Sequence, residues 1–255
     1  MEQSWRARAS RLRPAEASRR LHYAPADFLD DDAVVGVAFA VAHAGLQRLR
    51  VDFEERQLLA DMAGLKPKIA AITERAMRGE IAFEPALRQR VALLKGLPVG
   101  VVDEVLNTRI TLTPGGRELV ATVRAHGAYT CLISGGFTLF TEAVATKLGF
   151  QENRANELRV EDGKLTGEVT EPILGRAAKL ATLIELTESF DLDDIDTLAV
   201  GDGANDLGMI LHAGLGVAYH AKPVVAAAAG ARIDFGDLTA LLYAQGYRRD
   251  EFAGG

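Results

Sequence analysis

The order of apolar and polar positions divides the chain into parts with different rhythms. Over residues 54–109, apolar positions recur at helical spacing between Gly-Leu and Gly-Leu-Pro breaks, which predicts a small all-helical insert. From residue 110 onward, helical patterns alternate with short apolar runs. Such alternation predicts an α/β fold with a doubly wound parallel sheet covered on both faces. We therefore expect a core of residues 34–53 and 110–255, a helical cap at 54–109 and a basic tail at 1–33.

Within the core, the individual elements follow from the same patterns. A buried strand is predicted over 128–134, where it runs into a Gly-Gly turn, and a second strand over 196–202. Alternation around Asp162-Gly163 predicts a β-hairpin over 157–169. The run 30–45 is either a buried strand or a helix that Asp30–Asp32 would cap and Gly45 would end. Periodicity does not decide between these two.

Composition narrows the class of protein. The chain has 255 residues, a net charge of -6 and one cysteine, Cys131. A negative chain of this kind is not expected to bind nucleic acid through its overall charge. A single cysteine excludes an internal disulfide framework and suits a cytoplasmic location. The arginine-rich first twenty residues have no apolar segment of the kind that a secretory signal needs, and we expect no membrane span.

The stretch VGDGANDLGM, residues 200–209, carries the clearest chemical signal. It follows an apolar strand and places Asp202 and Asp206 four positions apart at the start of a helix. Carboxylate oxygens suit Mg²⁺, which takes one or two carboxylates and keeps several waters. The alternative is an ordinary helix N-cap, where aspartate is favoured. The whole stretch after an apolar strand favours the metal site.

Two further segments are candidates for phosphate binding. Ser134 precedes Gly135 and Gly136, and a hydroxyl beside backbone N–H groups near a helix start can hold an anion. Lys179 lies in the predicted helix GRAAKLATL, where its ammonium could neutralise phosphate charge. Each segment alone reads as an ordinary turn or a surface lysine. Only their combination with residues 200–209 makes them functional candidates.

SGGF, a lysine on a later helix and GDGANDLGM, in this order, resemble three motifs of the haloacid dehalogenase superfamily. The cap sequence AMRGEIAFEPALRQRVALLKGLP is similar to that of the phosphoserine phosphatase family within it. The resemblance covers about residues 58–252. It implies Mg²⁺-dependent hydrolysis of O-phospho-L-serine through an aspartyl-phosphate, in the biosynthesis of L-serine. It also allows a homodimer.

The resemblance implies a role for each matching residue. Ser134, Gly135 and Lys179 would hold the phosphate, Lys179 also as a catalytic residue, while Asp202 and Asp206 would form the metal site. The substrate pocket would be completed by Asn205 and by four cap residues, Glu54, Met77, Phe83 and Arg90. Of these, Glu54 would face the amino group of the substrate and Arg90 its carboxylate.

The first motif of the superfamily, DxDxT, is missing where it is expected. The two aspartate positions fall on Gly45 and Gln47, which cannot attack phosphorus or transfer a proton. Three explanations stay open. Asp30 and Asp32 could form a displaced motif as nucleophile and acid/base; the chain could be a pseudophosphatase that binds without turnover; or residues 1–57 could stem from a different reading frame. Loss of a nucleophile lowers kcat by about 10⁴ to 10⁶.

Overall fold

A six-stranded parallel sheet forms the centre of the protein. The computed structural model describes residues 38–42, 64–78, 80–108, 110 and 112–254, and for residues 38–42 the backbone alone. The strands follow the order β3-β2-β1-β6-β7-β8. They are β1 (Ala38–Ala42), β2 (Tyr129–Phe137), β3 (Glu152–Asn156), β6 (Thr197–Gly201), β7 (Leu215–Tyr219) and β8 (Ala231–Ile233). The undecided run 30–45 therefore contains a strand, and it occupies the middle of the sheet.

The helices that accompany these strands alternate with them along the chain. They are α4 (Gly116–Ala125), α5 (Thr138–Leu148), α6 (Arg176–Ser189), α7 (Leu207–His212), α8 (Pro223–Ala228) and α9 (Ala240–Ala244), with 3₁₀ turns at Asp194–Asp196 and Arg249–Glu251. The order of the strands reverses at β1, because β2 and β3 extend the sheet to one side and β6 to β8 extend it to the other. In doubly wound sheets, ligands bind beyond the carboxyl ends of the strands at this switch point. The predicted fold class is confirmed.

Both faces of the sheet are buried, as the continuous apolar strands predicted. On β6, Leu198 and Val200 pack with helix α4 on one face, while Ala199 packs with Leu183 of α6 on the other. Cys131 of β2 belongs to the second face and is fully buried. Side chains alternate between the faces of a strand, so β2 and β6 each contribute to the cores on both faces of the sheet.

In the described part of the segment predicted to be a cap, three helices precede α4. They are α1 (Lys66–Met77), α2 (Phe83–Ala92) and α3 (Gly100–Thr108). Their apolar side chains share one cluster with Phe137 and Phe140, which come from the end of β2 and from α5. None of the helices in the described part of the chain is long and apolar enough to cross a membrane.

The predicted β-hairpin is present as β4 (Leu158–Glu161) and β5 (Lys164–Val169). Asp162 and Gly163 form its turn with positive φ values of 48° and 71°. The pattern did not reveal where the hairpin packs. Backbone hydrogen bonds join Leu165 to Gly96 and Leu97, the segment that links α2 to α3. The hairpin therefore packs on the helical cap, although it follows the core strands in sequence.

In this region the sequence analysis missed one strand and placed the end of another wrongly. Strand β3 was not predicted, because ENRAN is polar, has no apolar alternation and lies at the sheet edge with four of its five residues only half-buried. Strand β2 does not end at Ser134 in a Gly-Gly turn but continues through both glycines to Phe137. Its register against β3 shifts between Ile133 and Phe137, so the predicted irregularity occurs inside the strand.

Candidate active site

The candidate residues lie at the carboxyl edge of the sheet, on both sides of β1. In the strand register, Ala42 is paired with Ile133 of β2, and Val41 is paired with Val200 of β6. Ser134 and Asp202 therefore each follow a residue that is level with the end of β1. Two interstrand spacings, roughly 10 Å, separate β2 from β6. The carboxyl end of β1 points into the interval between these two candidate residues.

Ser134 lies in a bulge of β2. Ile133 pairs with Arg154 and Phe137 with Asn156, so three residues of β2 stand opposite one residue of β3. The Ser134 hydroxyl is buried and accepts a hydrogen bond from the backbone N–H of Gly136 at 2.9 Å. This N–H was predicted to face an anion, whereas here it orients the serine side chain.

The Lys179 ammonium and the Asp206 carboxylate form a buried ion pair. Nζ of Lys179 donates to Oδ1 of Asp206 at 2.7 Å, and each side chain is 1% exposed. Lysine and aspartate are almost never buried to this extent unless they are paired. The prediction that Lys179 is more than a surface lysine is in keeping with this burial, and helix α6 carries it against the loop that follows β6.

The second carboxylate oxygen of Asp206 holds that loop. Oδ2 accepts hydrogen bonds from the backbone N–H groups of Asp202 at 3.2 Å and of Gly203 at 3.0 Å. Asp206 stands at the N-cap position of α7, but its side chain makes no capping bond to the helix. The ordinary N-cap alternative is therefore wrong for Asp206, whose carboxylate shapes the loop and partners Lys179.

The two glycines of GDG pack closely on the residues that follow them, Gly201 on Asp206 and Gly203 on Asn205. A Cβ atom at Gly201 would lie 2.5 Å from Cβ of Asp206, and one at Gly203 would lie 2.3 Å from Oδ1 of Asn205. Real Cβ atoms do not approach other atoms this closely. Gly201 is thus required by packing, whereas the atom nearest to a Cβ at Gly203 is the end of a flexible side chain.

Asp202 is the carboxylate best placed to meet a cation. It follows β6 directly, is half-buried, and its carbonyl accepts a hydrogen bond from the Lys222 N–H at 3.1 Å. Mg²⁺ takes one or two carboxylates with several waters, so Asp202 fits as one of them. Asp206 fits less well as a direct ligand, because both its oxygens are engaged. Within the described residues, no three potential ligand side chains gather at one point.

The cap contributes Phe83 and Arg90, both from α2. Phe83 is 40% exposed, and its ring would be 3.5 Å from a Cβ atom at Gly175, the N-cap of the helix that carries Lys179. Arg90 is 4% exposed, an unusual burial for an arginine. An ion pair between Arg88 and Glu171 also joins α2 to the segment before α6. The side chain of Met77 and the whole of Glu54 lie outside the described part of the protein.

The candidates for the first motif lie outside the described residues too. Gly45 and Gln47 come three and five positions after Ala42, the end of β1. Asp30 and Asp32 come before β1 in the chain, whereas Ser134 and Asp202 are at the carboxyl ends of strands that run parallel to it. This chain order argues against the displaced motif, which stays a prediction.

Sequence reasoning missed one residue that joins two parts of this edge. Asn156, the last residue of β3, donates through Nδ2 to the carbonyl of Gly135 at 3.0 Å and to that of Leu174 at 3.2 Å. No motif marked it, since it ends a polar segment without periodicity. Its position opposite the β2 bulge would have been the signal, and only the sheet register reveals that position.

The fold and this edge define a doubly wound α/β protein with a helical cap and a buried lysine–carboxylate pair at the switch point. The chain belongs to the haloacid dehalogenase-like hydrolase family, whose profile matches residues 6–211. It is 42% identical over 231 residues to a phosphoserine phosphatase of Streptomyces coelicolor, covering 86% of this chain and 56% of that protein. It is 46% identical over 189 residues to a phosphoserine phosphatase of a Polaromonas species, covering 72% and 80% respectively.

A solved structure shows the same architecture with a ligand. The chain superposes on a substrate-bound phosphoserine phosphatase complex with a TM-score of 0.72 at 34% identity, covering 84% of this chain and 99% of that one. The resemblance to the haloacid dehalogenase superfamily that the motifs indicated is therefore confirmed. The chain spans 56% of the Streptomyces relative, so the activity of the whole relative is not transferred by similarity alone.

Proposed function

We propose that this chain is a phosphomonoester hydrolase of the phosphoserine phosphatase type, with O-phospho-L-serine as its substrate. The observation that carries the proposal is the buried Lys179–Asp206 pair at the switch point of the sheet, with Ser134 and Asp202 on either side of β1. Relatives that carry the phosphoserine phosphatase name support it.

The described residues supply the part of the chemistry that handles charge. A phosphate monoester brings negative charge into the site, and the Lys179 ammonium is a preorganised countercharge that solvent does not screen. Asp206 pairs with that ammonium and fixes its direction. The Ser134 hydroxyl, oriented by the Gly136 N–H, lies at the same edge and is suited to donate to a phosphate oxygen.

Asp202 would hold Mg²⁺, together with a ligand from the chain beyond Ala42, and Asp206 would support the site from behind. When bound, the ion would offset charge on the transferring phosphoryl group. Asn205, which is half-buried beside Asp206, would lie toward the substrate. Hydrolysis also requires a carboxylate nucleophile, and the chain must provide it from residues outside the described part.

The cap residues would select the amino acid part of the substrate. Arg90 is suited to a carboxylate because its planar guanidinium donates two parallel hydrogen bonds. Phe83, at the start of the same helix and close to Gly175, would close the apolar wall together with Met77. Glu54 would face the amino group. We also retain, as part of the proposal, the division into a core of 34–53 and 110–255 and a cap of 54–109.

A second candidate function is binding of phosphoserine without turnover. The presence of Gly45 and Gln47 at the expected aspartate positions favours it. In both cases we place the protein in the cytoplasm and in L-serine biosynthesis, with a homodimer as the assembly that the family resemblance allows.

The test is release of orthophosphate from O-phospho-L-serine by the full chain with Mg²⁺. A Gly45→Asp/Gln47→Asp double variant and an Asp30→Asn variant are measured beside the parent. If the parent turns over the substrate and Asp30→Asn does so too, the result supports the phosphomonoester hydrolase with a nucleophile from the chain after Ala42. Turnover lost in Asp30→Asn assigns the nucleophile to Asp30.

A silent parent with an active double variant supports binding without turnover. Silence in the parent and in both variants, together with no binding of O-phospho-L-serine, contradicts both candidates. Substrate choice is checked with Arg90→Gln, which should raise KM for O-phospho-L-serine but not for O-phosphoethanolamine, since the latter has no carboxylate. An equal rise for both substrates would contradict the role given to Arg90.

A further inference from the structure

Asn156 connects the two segments that carry Ser134 and Lys179. Its Nδ2 donates to the carbonyls of Gly135 and Leu174, and its Oδ1 accepts from the Leu174 N–H at 2.7 Å. The side chain is 2% exposed, so water does not replace these bonds. One amide therefore satisfies three backbone groups from two segments that are far apart in sequence.

The sheet geometry explains why a side chain is needed there. Between Ile133 and Phe137, the β2 bulge takes Gly135 out of the regular ladder with β3. Leu174 lies in the segment before Gly175, which is the N-cap of α6. Asn156 pairs with both the N–H and the C=O of Leu174, as a neighbouring strand would. It thereby fixes the start of the helix that carries Lys179 against the bulge that carries Ser134.

Few side chains can make this set of bonds. Asparagine offers two donors and an acceptor on one short planar group. Aspartate has no donor for the two carbonyls when ionised, and leucine, which has nearly the same shape, has neither donor nor acceptor. Because the site is buried, replacing asparagine by aspartate or leucine should be costly, since a buried carbonyl without a hydrogen-bond donor is destabilising.

We infer that Asn156 is a positioning residue for the phosphate-binding site: it sets the distance between the Ser134 hydroxyl and the Lys179 ammonium. The inference rests on the proposed function, because its consequence is that the affinity for phosphate depends on Asn156. Asn156 need not touch the substrate. It acts through the backbone at Gly135, next to Ser134, and at Leu174, just before the helix that carries Lys179.

The experiment compares Asn156→Leu with Asn153→Leu in the full chain. Asn153 is a matched control because it lies on the same strand and is half-buried, and its Oδ1 accepts from the Thr141 hydroxyl at 2.8 Å, away from Gly135 and Leu174. Two quantities are measured below the melting temperature of each variant. They are the affinity for orthophosphate by titration calorimetry and the hydrogen exchange of the Leu174 amide by NMR.

We expect Asn156→Leu to weaken orthophosphate binding roughly tenfold and to remove protection of the Leu174 amide. Asn153→Leu should change the affinity by less than about twofold. Faster exchange with unchanged affinity would overturn the inference, because Asn156 would then serve the fold and not the site. Unchanged exchange would overturn it as well.

Asn156→Ser, which keeps one donor and one acceptor on a shorter side chain, is the milder variant in case the leucine variant does not fold. It should bind orthophosphate with an affinity between those of the parent and Asn156→Leu. Failure of both variants to fold would overturn the positioning role. A parent that binds no orthophosphate would contradict the proposed function, whereas the exchange measurement would still decide whether Asn156 fixes Leu174.

Discussion

Nζ of Lys179 lies 2.7 Å from Oδ1 of Asp206, and both side chains are almost fully removed from solvent. The pair joins helix α6 to the loop after β6, which begins at Asp202 within the stretch GDGAND. Desolvation of two charges is costly, and the interaction between them offsets that cost only while both partners are present. The stability of the protein and its proposed function therefore depend on the same two side chains.

Removing one partner of this pair should be strongly destabilising. We expect Asp206→Asn to lower the free energy of unfolding by about 3–5 kcal/mol, because it leaves the Lys179 charge buried without its partner. Glu168→Gln is the control, since Glu168 is 2.7 Å from Arg159 in an exposed pair and should cost about 1 kcal/mol or less. Urea unfolding measures both variants, and equal losses would contradict the account.

The close packing of Gly201 on Asp206 gives a second prediction. Gly201→Ala places a Cβ atom 2.5 Å from Cβ of Asp206 and should destabilise the protein by about 1–3 kcal/mol while weakening orthophosphate binding. Gly100→Ala is the control, because a Cβ atom there would have no neighbour within 4 Å. It should leave stability unchanged or slightly increased. Tolerance of Gly201→Ala in both measurements would refute the described packing.

The hairpin offers a test of its contact with the cap. Gly163 and Gly167 both have positive φ, at 71° and 85°, so alanine should cost about 1–2 kcal/mol of strain at each. A Cβ atom at Gly163 would meet nothing within 4 Å, whereas one at Gly167 would lie 3.0 Å from Cβ of Lys95. Gly167→Ala should therefore lower the melting temperature further than Gly163→Ala. An equal shift would mean that the hairpin does not pack on the end of α2 as described.

Cys131 should be chemically silent in the native protein. Burial raises the pKa of its thiol to about 12, and the side chain is fully inaccessible. Alkylation needs the thiolate, so at pH 8 the folded chain should not react with iodoacetamide, and labelling should follow unfolding as urea is added. Because the pKa is raised, reactivity in the folded state should stay low until the pH approaches 12. The chain has one cysteine, so mass spectrometry reads the result directly, and rapid labelling without urea would contradict the burial.

Much of the fold could be predicted because its strands are apolar and its glycines have positional meaning. Buried strands such as β6 and the turn at Asp162-Gly163 carry local signals that tertiary contacts reinforce. Strand β3 carries none, since its polar residues lie at the edge of the sheet and are stabilised by pairing with β2. The packing of the hairpin on the cap was equally invisible, because it depends on contacts between segments distant in sequence.

The same distinction between local signals and tertiary contacts applies to the candidate site. Asp202 and Asp206 could be selected from sequence because their spacing and the glycine pattern mark them, and Lys179 could be selected only in combination with them. The sequence could not show that Asp206 commits both oxygens to Lys179 and the loop, because that follows from burial. Nor could it identify Asn156, whose partners Gly135 and Leu174 come together only through the register of the sheet.

The most direct test of the central claim is a calorimetric titration of O-phospho-L-serine into the full chain with Mg²⁺. We predict saturable binding at one site, with orthophosphate as a competitor. Lys179→Met should abolish this binding. Lys147→Met, which replaces an exposed lysine of α5, is the control and should retain it. Continued heat release from hydrolysis would also count as binding at this site, followed by turnover. Absence of any signal from the parent, or equal binding by the Lys179→Met and Lys147→Met variants, would contradict the claim that this edge of the sheet holds a phosphomonoester.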